Sequence, residues 1–138
     1  MSELISGSCL CGAFKYTFDR AQVLSAHHCH CKDCQRVTGS GKATFAMVPE
    51  AAIQQQGELK FYTVTGSDGS HVARGFCAQC GSGVMSYVEE MSELRFVKAG
   101  GMDDSSWLQV DSSFWGCSAQ AWSPVDAGAA IFEKNPEM

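Results

Sequence analysis

Seven of the eight cysteines in this 138-residue chain stand in three short groups: Cys9 and Cys11, then Cys29, Cys31 and Cys34, then Cys77 and Cys80. Spacings of one or two residues suit tight turns whose thiolates converge on one tetrahedral ion. Clustered cysteines in a reducing compartment point to metal or redox chemistry rather than to structural disulfides. Seven ligands divide as four plus three. A structural zinc takes four protein ligands, while a catalytic one keeps a position for water or substrate. Cys9 and Cys11 with Cys77 and Cys80 supply two half-tetrahedra and form the natural quartet. Cys29, Cys31 and Cys34 are left to face a second ion, with the fourth position open or filled by His27, His28, His30 or Cys117. Thiolates suit zinc, and equally iron or another thiophilic metal. Three thiolates overcompensate a divalent ion, which weakens it for making hydroxide but leaves it able to accept and ionise an incoming thiol. The spacing therefore points to thiol chemistry more than to hydrolysis. Cys117, alone, fits a free buried cysteine acting as a small hydrophobe.

Short strands must position these groups. Residues 13–18 alternate aromatic and polar side chains, the period of a half-buried strand. Further strands are expected over 44–48, 59–64, 71–76, 84–88 and 94–99, separated by glycine- and serine-rich turns at 39–41, 66–70, 81–83 and 100–101. Helix signals are confined to one turn over 33–38 and another over 49–55. The expected fold class is mainly β: a compact single domain of several short sheets stapled by zinc. Residues 1–132 would form that domain and 133–138 a polar C-terminal tail. Thioredoxin-like redox motifs sit in a βαβ setting, and this pattern lacks one.

Composition narrows the function classes. Hydrophobic residues make up 45% and charged residues 18%, which excludes a charge-swollen disordered chain. The formal charge of −5 argues against a phosphate-backbone binder, so no nucleic-acid partner is expected. No apolar run nears the length of a bilayer span, and the first residues lack a signal-peptide pattern, so no membrane is expected and the location reads as cytoplasmic. Near the middle group, His27, His28 and His30 could serve as ligands or proton carriers, although side chains in a short metal loop often face solvent. Lys32 and Arg36 could attract the carboxylates of a substrate or simply be solvated. Phe45, Trp115 and Trp122 read as core, Asp103-Asp104 as the start of a turn, and residues 66–70 as a mobile hairpin tip or a loop covering substrate.

Four strings carry a family resemblance. Gly7-Ser8-Cys9-Leu10-Cys11-Gly12-Ala13-Phe14-Lys15-Tyr16 resembles the opening motif of the glutathione-dependent formaldehyde-activating enzyme family, which also contains centromere protein V. Cys29-His30-Cys31-Lys32-Asp33-Cys34-Gln35-Arg36-Val37-Thr38-Gly39-Ser40 resembles its middle motif, and Arg74-Gly75-Phe76-Cys77-Ala78-Gln79-Cys80-Gly81-Ser82 its third. Lys98-Ala99-Gly100-Gly101-Met102-Asp103-Asp104 resembles a later segment. The resemblance implies a fold of several coiled β-sheets with two zinc ions per chain. One would be structural, on Cys9, Cys11, Cys77 and Cys80; the other would be catalytic, on Cys29, Cys31 and Cys34. It implies glutathione, or another small thiol, and a small aldehyde such as formaldehyde as partners. The activity implied is that of a carbon–sulfur lyase interconverting them with S-hydroxymethylglutathione. In the C-terminal part Trp115 and Trp122 keep the family's aromatic places, while Ser113 stands in the place of a histidine. The alternative function is a zinc-stabilised binding module without catalysis.

Overall fold

The computed structural model describes residues 3–136, and among them the chain forms eleven strands and one α-helix. Three strands, β1 (Leu4–Ser8), β2 (Lys15–Asp19) and β5 (Gln54–Gln56), make a small antiparallel sheet in the order β1-β2-β5. The larger sheet uses β3 (Ser25–Cys29), β4 (Ala43–Pro49), β6 (Lys60–Thr65), β7 (His71–Phe76), β8 (Gly83–Val88), β9 (Leu94–Lys98), β10 (Ser112–Phe114) and β11 (Ala130–Ile131). Its order is β11-β10-β3-β4-β9-β8-β7-β6. Pairing in the large sheet is antiparallel except that β10 runs parallel to both β3 and β11. The mainly β expectation holds. No helix among the described residues is long and apolar enough to cross a membrane.

Alternation gives the large sheet two different faces. On one, Ala46, Val48, Val84, Met85 and Val97 pack against Ile5, Phe14, Tyr16 and Phe18 from the small sheet and its connections. Burying each of the large side chains contributes roughly 1.5–3 kcal/mol. On the other face, Cys29, Ala43, Phe45, Met47 and Phe114 form a second cluster with Cys34 of the helix. The first face is the structural seam; the second carries the cavity described below.

Gly7 sets how closely β1 and β2 can pack. It lies opposite Tyr16, and a Cβ there would run into the Tyr16 ring and stand 2.6 Å from the Gly101 carbonyl. Overpacking of this kind costs about 1–3 kcal/mol. Gly7→Ala is expected to lower the urea midpoint accordingly, and an unchanged midpoint would contradict this packing.

Two sequence expectations change here. The helical turn expected over 49–55 splits into the end of β4, a single 3-10 turn at Glu50–Ala52, and β5. Pairing of Gln54–Gln56 along β2 overrides the helix preference of alanine and glutamine. Trp122, expected in the core, is 68% exposed. The helix over 33–38 is present as α1 (Lys32–Thr38), closed at its end by Gly39 in the left-handed conformation at φ 67°.

Candidate metal centres

The first two of the four quartet cysteines occupy the turn between β1 and β2. Gly12, at φ 80°, lets the turn close, and its amide donates to the Cys9 carbonyl at 3.2 Å. The Phe14 amide donates to Cys9 Sγ at 3.3 Å. The turn between β7 and β8 is built alike: Gly81 at φ 79° donates to the Cys77 carbonyl at 2.7 Å. The two turns dock through the Leu10 amide, which donates to Ser82 Oγ at 3.0 Å. Their four sulfurs then lie within 4.8 Å of one another. Cys9 and Cys11 are 3.7 Å apart, and Cys11 and Cys77 are 3.8 Å apart. A tetrahedron with zinc–sulfur bonds of about 2.3 Å has edges of about 3.8 Å, whereas a disulfide needs about 2.05 Å. The eight cysteines are free thiols. Hydrogen bonds from the Ser82 hydroxyl and amide pull the Cys80 thiol down to about 5, so it already favours the ligating form. Donor type and spacing both fit a metal ion held by four cysteines.

The trio assembles where β3 meets α1. Cys29 ends β3, Cys31 caps α1 with its sulfur accepting from the Cys34 amide at 3.2 Å, and Cys34 follows in the first turn. Their sulfurs lie within 4.8 Å of one another, and among the described residues no histidine, carboxylate or fourth cysteine joins them. Crowded thiols share protons. Hydrogen bonding from Cys29 and Cys31 pulls Cys34 far below the usual thiol value, while the same contacts push Cys29 up. One sulfur of the three ionises easily and another resists, unless a cation balances the charge. This donor set also fits a thiophilic metal.

None of the four fourth-ligand alternatives is placed at the trio. His27 is held between Ser112 Oγ at 2.6 Å and Ser25 Oγ at 2.8 Å, with its ring stacked on Phe114. His28 bonds Thr44 Oγ1 at 2.7 Å. His30 is fully buried rather than facing solvent, and Cys117 is exposed rather than buried. Burial pushes all three imidazoles below the ordinary histidine value and favours their neutral form.

The trio lines a cavity of about 470 Å³. Strand register explains the rest of its wall. Phe114 pairs with Cys29, Phe45 with Lys98, Phe96 with Ser86, and Ser86 with Arg74, so all these side chains point to one face. Residues 65–68 and Ser70 of the β6–β7 hairpin stand at the rim. Lys32 also lines the cavity, but Arg36 is exposed and does not. Arg74 and Lys98 were not singled out from sequence; alternation puts each on a strand face, and only the register identifies that face as the trio's. Trp115, at the wall, has a left-handed backbone at φ 59°. Asn135 accepts from its indole N–H at 2.9 Å, and the Lys134 carbonyl accepts from its amide at 3.1 Å. Asp104 does begin a turn, its carboxylate accepting from the Ser106 amide at 2.9 Å.

The fold has a solved counterpart. A crystal structure of a Rhodobacter sphaeroides protein, a structural-genomics target, is 22% identical, with a TM-score of 0.55 over 71% of this chain and 87% of that one. No curated protein matches the chain. The model of the glutathione-dependent formaldehyde-activating enzyme family matches residues 4–118, a span that contains both cysteine clusters entire and every strand but the last. With the cysteine groups in the family's order and folded into two thiol clusters, the chain belongs to the glutathione-dependent formaldehyde-activating enzyme family.

Proposed function

We propose that the chain catalyses the reversible addition of a thiol, glutathione or a close relative, to a small aldehyde such as formaldehyde. The reaction forms a bond between the thiol sulfur and the carbonyl carbon, and the thiol proton ends on the carbonyl oxygen. In the breaking direction this is a carbon–sulfur lyase reaction. The observation that carries the reading is the contrast between the two clusters. The quartet offers four donors, whereas the trio offers three and borders a cavity of about 470 Å³, far more space than a one-carbon aldehyde needs.

Two zinc ions are proposed per chain: a structural one on Cys9, Cys11, Cys77 and Cys80, and a catalytic one on Cys29, Cys31 and Cys34. Zinc at the trio would supply a Lewis-acidic position where an incoming thiol loses its proton. Phe45, Phe96, Phe114 and Trp115 give the cavity an apolar wall, beside which charge interactions are stronger than in water. Lys98 and Arg74 bring positive charge towards the trio and favour the ionised sulfur. Free thiols in both clusters suit a reducing compartment, and the cytoplasm is the proposed location.

Exchange NMR on metal-replete protein with glutathione and formaldehyde tests the chemistry. Interconversion with S-hydroxymethylglutathione should run faster than in protein-free buffer, and zinc X-ray absorption should show more sulfur once glutathione is added. No acceleration together with an unchanged sulfur count would leave a zinc-stabilised binding module in place of an enzyme.

A further inference from the structure

Two cations stand on the trio's face of the large sheet with no carboxylate to meet them. Arg74 in β7 lies opposite Ser86, and Lys98 in β9 lies opposite Phe45 with its ammonium 5.5 Å from the ring centre. Both are half-buried and both line the cavity. Among the described residues neither enters an ion pair, and the buried Nε of Arg74 has no hydrogen-bond partner. Buried donors are nearly always satisfied, so an orphaned guanidinium N–H needs a reason.

Acids at the same cavity do not supply one. Asp68 accepts from the Ser70 hydroxyl at 2.6 Å and its amide at 2.9 Å, and Glu90 accepts from the His71 amide and pairs with the ring. Asp33 is exposed in the first turn of α1. The trio's charge favours the guanidinium, but no sulfur accepts a hydrogen bond from the buried Arg74 Nε. A ligand that touches both lies in the cavity they share. A guanidinium fork is shaped for a carboxylate, and a second cation beside it adds charge without competing for the same geometry.

We infer that Arg74, supported by Lys98, is the residue that anchors a carboxylate of the substrate. The assignment of a thiol at the other end rests on the function proposed above; the carboxylate recess stands on the two cations alone.

S-methylglutathione separates these claims, because it carries the carboxylates but no free thiol. Its binding to metal-loaded protein is measured by calorimetry beside that of its two mono-amides, each lacking one carboxylate. At least one amide should bind about tenfold to a hundredfold more weakly, and Arg74→Gln should lose a similar factor for the acid while no longer telling the two apart. Arg74→Lys should recover part of the loss, since it restores charge without the fork. The ligand comparison on the native protein needs no variant, and Lys98→Gln replaces Arg74→Gln if the latter does not fold. Discrimination without turnover would retain the recess and remove the lyase reading. Turnover with both amides binding like the acid would do the reverse. Failure of S-methylglutathione to bind the native protein, or full affinity in Arg74→Gln, would overturn the inference.

Discussion

Cys77→Ser protein, purified under reducing conditions, is expected to lack a cooperative thermal transition and to lose sharp near-ultraviolet circular dichroism. Cys77 is 3% exposed and belongs to the seam between the sheets. Its turn meets the Cys9–Cys11 turn through the sulfur cluster and through polar contacts such as Leu10 to Ser82. Structural zinc contributes about 10–16 kcal/mol of apparent binding energy in small domains. Whole-domain stability is about 5–15 kcal/mol. Losing one of the four sulfurs that would hold such an ion should therefore leave the seam unable to hold. The serine hydroxyl also remains protonated and is a poor replacement for thiolate. A Cys77→Ser protein that melts cooperatively within a few degrees of the native one, with its metal gone, would show that Phe14, Tyr16 and Phe18 suffice without the ion.

Cys31→Ser should behave in the opposite way: fold retained, one metal ion lost, and thiol–aldehyde interconversion reduced on the order of a thousandfold. The local structure makes this substitution unusually clean. Cys31 caps α1 through a sulfur that accepts from the Cys34 amide, and serine is among the best residues for that position. The helix therefore keeps its cap while the trio loses a soft ligand. Elemental analysis should fall from two ions to one, and the melting temperature should stay within a few degrees of native. Retention of both ions and full turnover would take Cys31 out of the site.

Much of this arrangement was legible because cysteine spacing is local information. Two thiols one or two residues apart need only a tight turn to converge, and Gly12 and Gly81 mark such turns in the sequence itself. The strand with clean alternation, residues 13–18, was equally plain. The strands that were not anticipated are the ones that lack that signature. β1 reads Leu-Ile-Ser-Gly-Ser, β3 is rich in serine and histidine, and β10 is only three residues long. Pairing rather than pattern holds each of them: β1 along its neighbour β2, β3 along β4, and β10 parallel to β3 more than eighty residues earlier. Side-chain environment set by such pairings was illegible too. Cys117 and Trp122 look like core by residue type, yet the chain after β10 leaves both exposed. Arg74 and Lys98 look like ordinary strand cations until register brings them to the face that holds the trio. Lys32 and Arg36 are both close to the trio in sequence, yet of the two only Lys32 reaches the cavity.

The irregular pairing of β7 with β8 between Gly75 and Phe76 has a consequence for how this protein can vary. Arg74, before it, serves the cavity; Cys77, just beyond it, serves the opposite seam. Gly75 has no room for a side chain, since a Cβ would come within 2.7 Å of the Met85 carbonyl and 2.8 Å of Phe61. Because a shift of one residue turns a strand over, this stretch is constrained in length more strictly than in letter. An insertion or deletion of one residue there would disconnect the scaffold from the recess at a stroke, whereas point changes at exposed Ala78 and Gln79 would leave both intact. Homologues and designed variants should therefore diversify this segment by replacement and keep its count fixed.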